Sequence, residues 1–345
     1  MSEFSTNKLG LFPEKLAALR SSHAKGEMDT TYPISVELSL TDACSFNCEW
    51  CSDFDLRKRL NGHMNNKIVP GLLDDLSDGG AKGVVIEGGG EPTLHPNICE
   101  IIEEVRKRGL ACGLITNGAR FNYSDQIDEL EWVRISLDVA NAEQMQTLKR
   151  KDAFETVMSN ISEIARVKRQ TVLGISYILT KKSRDGLEDL VYRLSRMGVN
   201  YFQVKPVVDH PELLWMGEKE DLKHLNAYES ENFKVFLDAL QTNRIRGNMG
   251  VSCVAHSLTS VIAANGDVFF CGRLNSDASW PALGNINRNS FKEIWTGEER
   301  RRQHELMMQA TECSSKCPEC RLTKFNVSLD QIQETPITVK TPNFI

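Results

Sequence analysis

The sequence predicts an α/β fold on a parallel sheet. Three observations carry that reading: six strand-like runs alternate with helical runs between residues 35 and 208, polar or glycine-rich segments follow the strands, and the alternation stops near residue 210. In chain order the strand candidates are SVELSL, GVVIEGG, CGLITNG, WVRISLDV, VLGISYILT and YFQVKPVV. Between them, Ile98, Ile101, Ile102 and Val105 recur at helical spacing. So do Phe154, Val157, Met158, Ile161 and Ile164, and then Leu187, Leu190, Val191 and Leu194. A doubly wound sheet and an open barrel both satisfy this alternation, and neither a GxGxxG turn nor a GxxxxGK[ST] loop occurs. The segments TDACSFNCEWC, EGGGEP, TNG and SLD fall at strand ends, where α/β folds gather ligand-binding groups.

The pattern divides the 345 residues into an N-terminal extension (1–34), the repeating region (35–210), a charged and largely helical connection (211–250), a cysteine-rich second domain (251–325) and a tail (326–345). Pro336, Pro342 and several threonines mark the tail as a surface segment. With 41 basic against 47 acidic residues, the net charge of -6 gives no overall positive field for nucleic acid or an anionic membrane. No apolar run approaches a membrane span, and the first residues lack a secretory pattern, so a cytoplasmic location is expected. In that reducing setting ten cysteines point to metal ligation or redox chemistry more than to disulfides.

Cys44, Cys48 and Cys51 form C-x3-C-x2-C directly after the first strand. Three thiolates on one loop leave one site of a tetrahedral or cubane centre open, and an open site permits chemistry. A zinc site completed by His63 is the plainer alternative. Further on, Gly88, Gly89 and Gly90 allow close backbone approach, and Glu91 could accept from an ammonium.

With Cys44, Cys48, Trp50 and Cys51 in C-x3-C-x-aromatic-C spacing, and GGGEP after the second strand, the sequence resembles the radical SAM superfamily over roughly residues 35–208. The resemblance implies a partial (β/α)6 barrel with a small C-terminal auxiliary-cluster domain. It also implies a catalytic [4Fe–4S] cluster on the three cysteines, with S-adenosylmethionine bound to the cysteine-free iron and cleaved reductively to a 5′-deoxyadenosyl radical. Gly88, Gly89, Gly90 and Glu91 would then bind the cofactor's amino group, Trp50 would pack near adenine, and Asn117, Ser136 and Asp138 would contact ribose or methionyl groups. Asp138 would equally serve as a turn or helix cap.

Cys253 and Cys271 bracket Gly266, and Cys313, Cys317 and Cys320 repeat the C-x3-C-x2-C spacing. Residues 251–322 resemble the shortened auxiliary-cluster domain called twitch, related to the longer SPASM domain. This implies one auxiliary [4Fe–4S] cluster on Cys253, Cys271, Cys317 and Cys320, with a structural zinc site as the alternative. Cys313 is left as a replacement ligand, a hydrogen donor or a structural thiol. Lys205, Asp209 and His210, near the last strand end, are candidates for acid–base work or polar binding, and Arg273 for an anionic group. His95 would line the active face or a turn, and Cys99 and Cys112 would pack in the interior.

The resemblance implies hydrogen abstraction by the adenosyl radical, and an auxiliary centre then suggests oxidation of an H–C–OH group, with an electron passing to the auxiliary cluster. The expected substrate is a small sugar, cyclitol or nucleoside-like metabolite. Peptide modification, a dehydratase, decarboxylase or epimerase reaction, and a non-catalytic iron–sulfur or zinc module are the alternatives. A low-potential donor such as flavodoxin or ferredoxin is the expected partner.

Overall fold

The computed structural model describes residues 6–240, 252–308, 322–332 and 339–344. Strands β1 (Ser35–Ser39), β2 (Gly83–Glu87), β3 (Ala111–Thr116), β4 (Trp132–Ser136), β5 (Val172–Leu179) and β6 (Tyr201–Pro206) pair in parallel, each with its predecessor in the chain. Consecutive parallel neighbours need crossovers on the outer face. The chain supplies helices α2 (Phe54–Leu60) and α3 (Val69–Asp78), α4 (Ile98–Lys107), α5 (Ala142–Leu148) and α6 (Phe154–Val167), and α7 (Leu187–Ser195). The β3–β4 connection is the exception, a 3-10 segment at Ser124–Glu129. Helices this short are marginal in water on their own, so burial of one apolar face holds them. In α4 that face is Ile98, Ile101, Ile102 and Val105, as their spacing predicts. At about 1.5–3 kcal/mol for each fully buried side chain, packing outweighs any propensity term.

Alternation along the strands makes two faces. Val36, Leu38, Val84, Ile86, Val133, Ile135, Phe202 and Val204 face the helices in the main core. On the other face Val85, Ala111, Trp132, Val172 and Tyr201 form a separate buried cluster, the floor of the barrel lumen. Two glycines make room for its rings. A Cβ at Gly113 would stand 2.3 Å from Trp132, and one at Gly174 would stand 2.0 Å from Tyr201.

The structure departs from or extends the expectations at three places. The described part of the connection predicted to be helical is 3-10 turns, including Lys219–Tyr228, and a seventh parallel strand, β7 (Lys234–Phe236), beside β6. The C-terminal domain continues the barrel sheet, because β8 (Thr259–Ile262) pairs in parallel with the free side of β1 and is followed by antiparallel β9 (Asp267–Phe269) and β10 (Gly284–Asn285). The open sheet therefore runs β10-β9-β8-β1-β2-β3-β4-β5-β6-β7. The predicted surface tail instead reaches the interior. Phe344 is buried in the lumen floor, edge-on to Trp132 at 5.2 Å, and Lys8 donates to the Thr341 carbonyl at 2.6 Å.

The N-terminal extension is likewise built in. Its helix α1 (Pro13–Lys25) places Leu16 and Leu19 in the main core. Arg300, fully buried over the Trp295 ring at 3.9 Å, donates to the Asp29 carbonyl at 2.8 Å, and Trp295 Nε1 donates to Thr31. Among the described residues no helix is long and apolar enough to cross a membrane.

Candidate active site

The cysteine loop leaves the C-terminal end of β1 and is held from two sides. Asn47 and Glu49 donate backbone N–H groups to the carbonyls of Lys149 and Leu148, at 3.2 and 2.9 Å. On the other side Gly90 N donates to Thr41 O at 3.1 Å and Glu91 N to Ala43 O at 2.8 Å. The glycine run follows from this approach: a Cβ at Gly90 would stand 2.2 Å from the Ala43 carbonyl, and one at Gly88, whose φ is 145°, would stand 2.4 Å from Ser39 Oγ. Neither position has room for a side chain.

The Glu91 carboxylate points inward. Oε1 accepts from Thr93 N (3.1 Å), Thr93 Oγ1 (2.6 Å) and Thr116 Oγ1 (2.6 Å), while Oε2 accepts from Asn117 N (2.7 Å). Nearly all its lone pairs are engaged, so it braces the loops after β2 and β3, and the glycine backbone is left to face a ligand. Asn117 joins the same framework, donating to Ser45 Oγ at 3.3 Å and accepting from Ala119 N at 2.9 Å. Asp138, at φ 59°, accepts from Ile178 N at 2.9 Å and from the buried ammonium of Lys149 at 3.1 Å. Lys149 also donates to the carbonyls of Ser136 and Leu137. Nothing in the spacing of residues points to Lys149, which lies far along the chain from the cysteines.

Burial pushes the Cys48 thiol up to about 12, opposed by the Lys149 charge, and burial raises Cys51 against the pull of Arg57. The Arg57 guanidinium lies 3.8 Å from Cys51 Sγ, with its Nε buried and unpartnered. Cys44 and Cys51 both act electrostatically on Cys48. Among the described residues no three cysteine, histidine or carboxylate side chains already close on one point. Trp50 is buried in the core beside the loop. His95 stacks on His63 at 4.4 Å and contacts the Met64 carbonyl at 3.0 Å, a packing role that also occupies His63. Cys112 is fully buried, whereas Cys99 is half-buried and bonds to the Asn122 carbonyl.

Residues 38–203 match the radical SAM superfamily, and residues 253–321 match an iron–sulfur cluster-binding domain of the SPASM type. The chain belongs to the radical SAM superfamily. A tungsten-containing aldehyde ferredoxin oxidoreductase cofactor-modifying protein of Pyrococcus furiosus is 25% identical over 294 residues, covering 76% of this chain and 80% of its own. An AdoMet-dependent heme synthase of Methanosarcina barkeri is 24% identical over 352 residues, 91% of this chain and 98% of its own. In fold the chain is similar to Streptococcus suis SuiB bound to precursor peptide SuiA, with a TM-score of 0.60 at 17% identity; 78% of this chain and 65% of that one are covered.

The radical SAM domain implies S-adenosylmethionine and a [4Fe–4S] cluster, and the C-terminal domain implies auxiliary iron–sulfur clusters. The residues present fit: three thiols on one loop, a cationic surround from Lys149 and Arg57, and a glycine cradle without side chains. In the C-terminal domain Cys253 and Cys271 are buried. Cys313, Cys317 and Cys320 lie outside the described residues.

Above the aromatic floor the radical SAM lumen is polar. Glu87, Arg134 and Gln203 each stand two residues beyond Val85, Trp132 and Tyr201 on the inward face, and Lys205 two beyond Gln203. Burial raises the Glu87 carboxyl, opposed by Arg134 and Lys205. Burial, aided by Arg134, lowers Lys205 to about 8. Ser136 shares this face. Asp209 and His210 lie higher and outside: Asp209 takes both guanidinium nitrogens of Arg273 at 2.6 and 3.2 Å, and His210 pairs with Glu212 at 3.1 Å. Arg273 belongs to the short helix α8 (Gly272–Ser276), which begins after Cys271. Through Arg273 and the 3.1 Å bond from Arg59 to Asn275, α8 joins the exit of β6 to α2. A cleft of 470 Å³ beside Glu49, Gln144, Arg150 and Lys182 holds none of the predicted site residues.

Proposed function

We propose that the protein oxidises a hydroxyl-bearing carbon of a small polar sugar, cyclitol or nucleoside-like metabolite held in the barrel lumen. Bound S-adenosylmethionine and its cluster supply hydrogen-abstracting one-electron chemistry, and one auxiliary [4Fe–4S] centre supplies an electron acceptor. Converting H–C–OH to C=O removes one hydrogen atom, one proton and one electron from the substrate. The proton is the share that falls to the chain's own side chains.

Lys205 carries this reading. It is half-buried on the inward face, its pKa is lowered to about 8, and it has no hydrogen-bond or ion-pair partner among the described residues. A lysine so placed is partly neutral near physiological pH and accepts a hydroxyl proton. The aromatic floor closes the lumen below, which keeps water from that end. Asp209 and His210 have a different place in the proposal: the Asp209–Arg273 pair positions α8, and with it Cys271, beside the exit of β6.

The test uses the reconstituted, reduced protein under anaerobic conditions with deuterated small-molecule and peptide extracts. Deuterium carried into 5′-deoxyadenosine from a small molecule, with a product two hydrogens lighter, is the expected result. A peptide donor, loss of water or carbon dioxide, or a mass-neutral product overturns it. With the substrate in hand, turnover rises through pH about 8 as Lys205 loses its proton, and Lys205→Gln abolishes that rise.

A further inference from the structure

The lumen holds charges that do not pair with one another. Glu87 and Arg134 lie on strands β2 and β4, with Ile115 of β3 between them in register with Arg134. Two strand spacings, about 9–10 Å, therefore separate their backbones. No ion pair within 4.0 Å forms among Glu87, Arg134 and Lys205, and none of their side chains has a hydrogen-bond partner among the described residues. Arg134 Nε and Gln203 Oε1 are buried and unpartnered, and Gln203 is only 9% exposed. The Arg134 guanidinium lies 5.5 Å from the Trp132 ring centroid, so the floor of the lumen supports it. Buried polar groups are ordinarily paired, and each one left unpaired costs stability. Two such atoms on one inward face of the sheet, beside the partly exposed Glu87 and Lys205, are explained by a ligand that completes the pairing.

The ligand's chemistry follows from the donors and acceptors. A guanidinium, an ammonium and a carboxylate leave at most one net positive charge, which suits a monoanion and disfavours a phosphate dianion opposite Glu87. A guanidinium offers paired donors that match a carboxylate. Glu87 and Gln203 Oε1 offer acceptors, which match hydroxyl groups. We infer that the substrate is a hydroxy-carboxylate of the sugar-acid class, its carboxylate held by Arg134 and its hydroxyls by Glu87 and Gln203, which leaves Lys205 for the reacting hydroxyl.

This rests on the proposed lumen site but is tested apart from turnover. Binding of gluconate, its neutral counterpart glucitol, and inorganic phosphate is measured by calorimetry on the anaerobic holoprotein with S-adenosylmethionine. Gluconate is expected to bind at least about tenfold more tightly than glucitol or phosphate. Arg134→Gln should remove that preference while leaving the weak glucitol affinity and the iron content unchanged, and Arg134→Lys should restore part of it. Equal affinities for gluconate and glucitol, tighter phosphate binding, undetectable gluconate binding, or an unaltered preference in Arg134→Gln overturns the assignment. Lys205→Gln separates the two readings: it removes the rise of turnover through pH about 8 if the base assignment holds, and leaves the preference for gluconate over glucitol if the anion site is at Arg134.

Discussion

Two regions of the barrel, the rim around the cysteine loop and the inward face of the sheet, handle charge in opposite ways. Around β1–β3, Glu91 has its donors within 3.1 Å, and Asp138 and Lys149 at the β4 exit satisfy each other. Across the lumen Arg134, Lys205 and Gln203 have no side-chain partner among the described residues. A satisfied carboxylate is architecture, and an unsatisfied one awaits a ligand. By that criterion the groups around the cysteine loop form a rigid holder, and the inward face carrying Arg134, Lys205 and Gln203 is the proposed place of substrate chemistry.

Glu91→Gln tests the holder most severely. An amide nitrogen in place of one oxygen faces donors with a donor, and the loops after β2 and β3 lose their common acceptor. The expected loss is about 3 kcal/mol or more, read as a lower urea midpoint of the apo protein together with reduced iron retention after reconstitution. Normal stability with weakened S-adenosylmethionine binding would move Glu91 from the framework to the cofactor and break the comparison.

Phe344→Ala tests the floor of the lumen. Removing a buried ring leaves a cavity under Trp132, and the expected cost is about 3 kcal/mol in thermal or urea unfolding. A loss below about 0.5 kcal/mol would return this residue to the surface tail that the sequence suggests.

How much of this was legible in the sequence depends on distance and period. The barrel strands and α4, α6 and α7 were readable because their apolar spacing is local and repeats. β7 has three residues, too few to show a period. The β3–β4 connection has no helical apolar spacing to read. Phe344 is one aromatic in a proline- and threonine-bearing tail, and only tertiary packing places it in the floor. Lys149 meets Cys48 across a long stretch of chain. Glu87, Arg134 and Gln203 alternate with apolar residues within their strands, a pattern that reads as the solvent side of a sheet and carries no sign of a barrel interior. For Glu91 the motif was legible and the direction of its carboxylate was not, since Thr93 and Thr116 claim it through contacts that spacing does not encode.

Lys205→Met sharpens the comparison on the lumen side. The folded pKa of about 8 lies below the ordinary 10.5, so the unfolded chain binds more protons between those values and wild-type stability rises with pH across that window. The half-buried ammonium is destabilising below pH 8, an effect that fades toward 10.5. The variant should therefore melt higher than wild type at pH 7, with the gap closing by pH 10. Parallel melting curves would mean that Lys205 is not held unpaired.

The smallest effect belongs to the latch between the domains. Asp209 sits at φ 63° with its carboxylate on Arg273, and both side chains are partly exposed. Asparagine tolerates the same left-handed backbone, so Asp209→Asn removes the charge without straining the turn. An exposed ion pair contributes about 0–1 kcal/mol, and salt screens it. The expected loss of stability is correspondingly small and disappears in 1 M salt, where the Debye length falls to about 3 Å. The informative readout is transfer between centres. If the pair holds α8, and with it Cys271, at the barrel mouth, weakening it lowers product formation per 5′-deoxyadenosine released, because abstraction then outruns the second electron transfer. A product ratio unchanged at low salt would leave the auxiliary domain fixed by the β1–β8 pairing together with the bonds of Asn275, Trp295 and Arg300 to Arg59, Thr31 and Asp29.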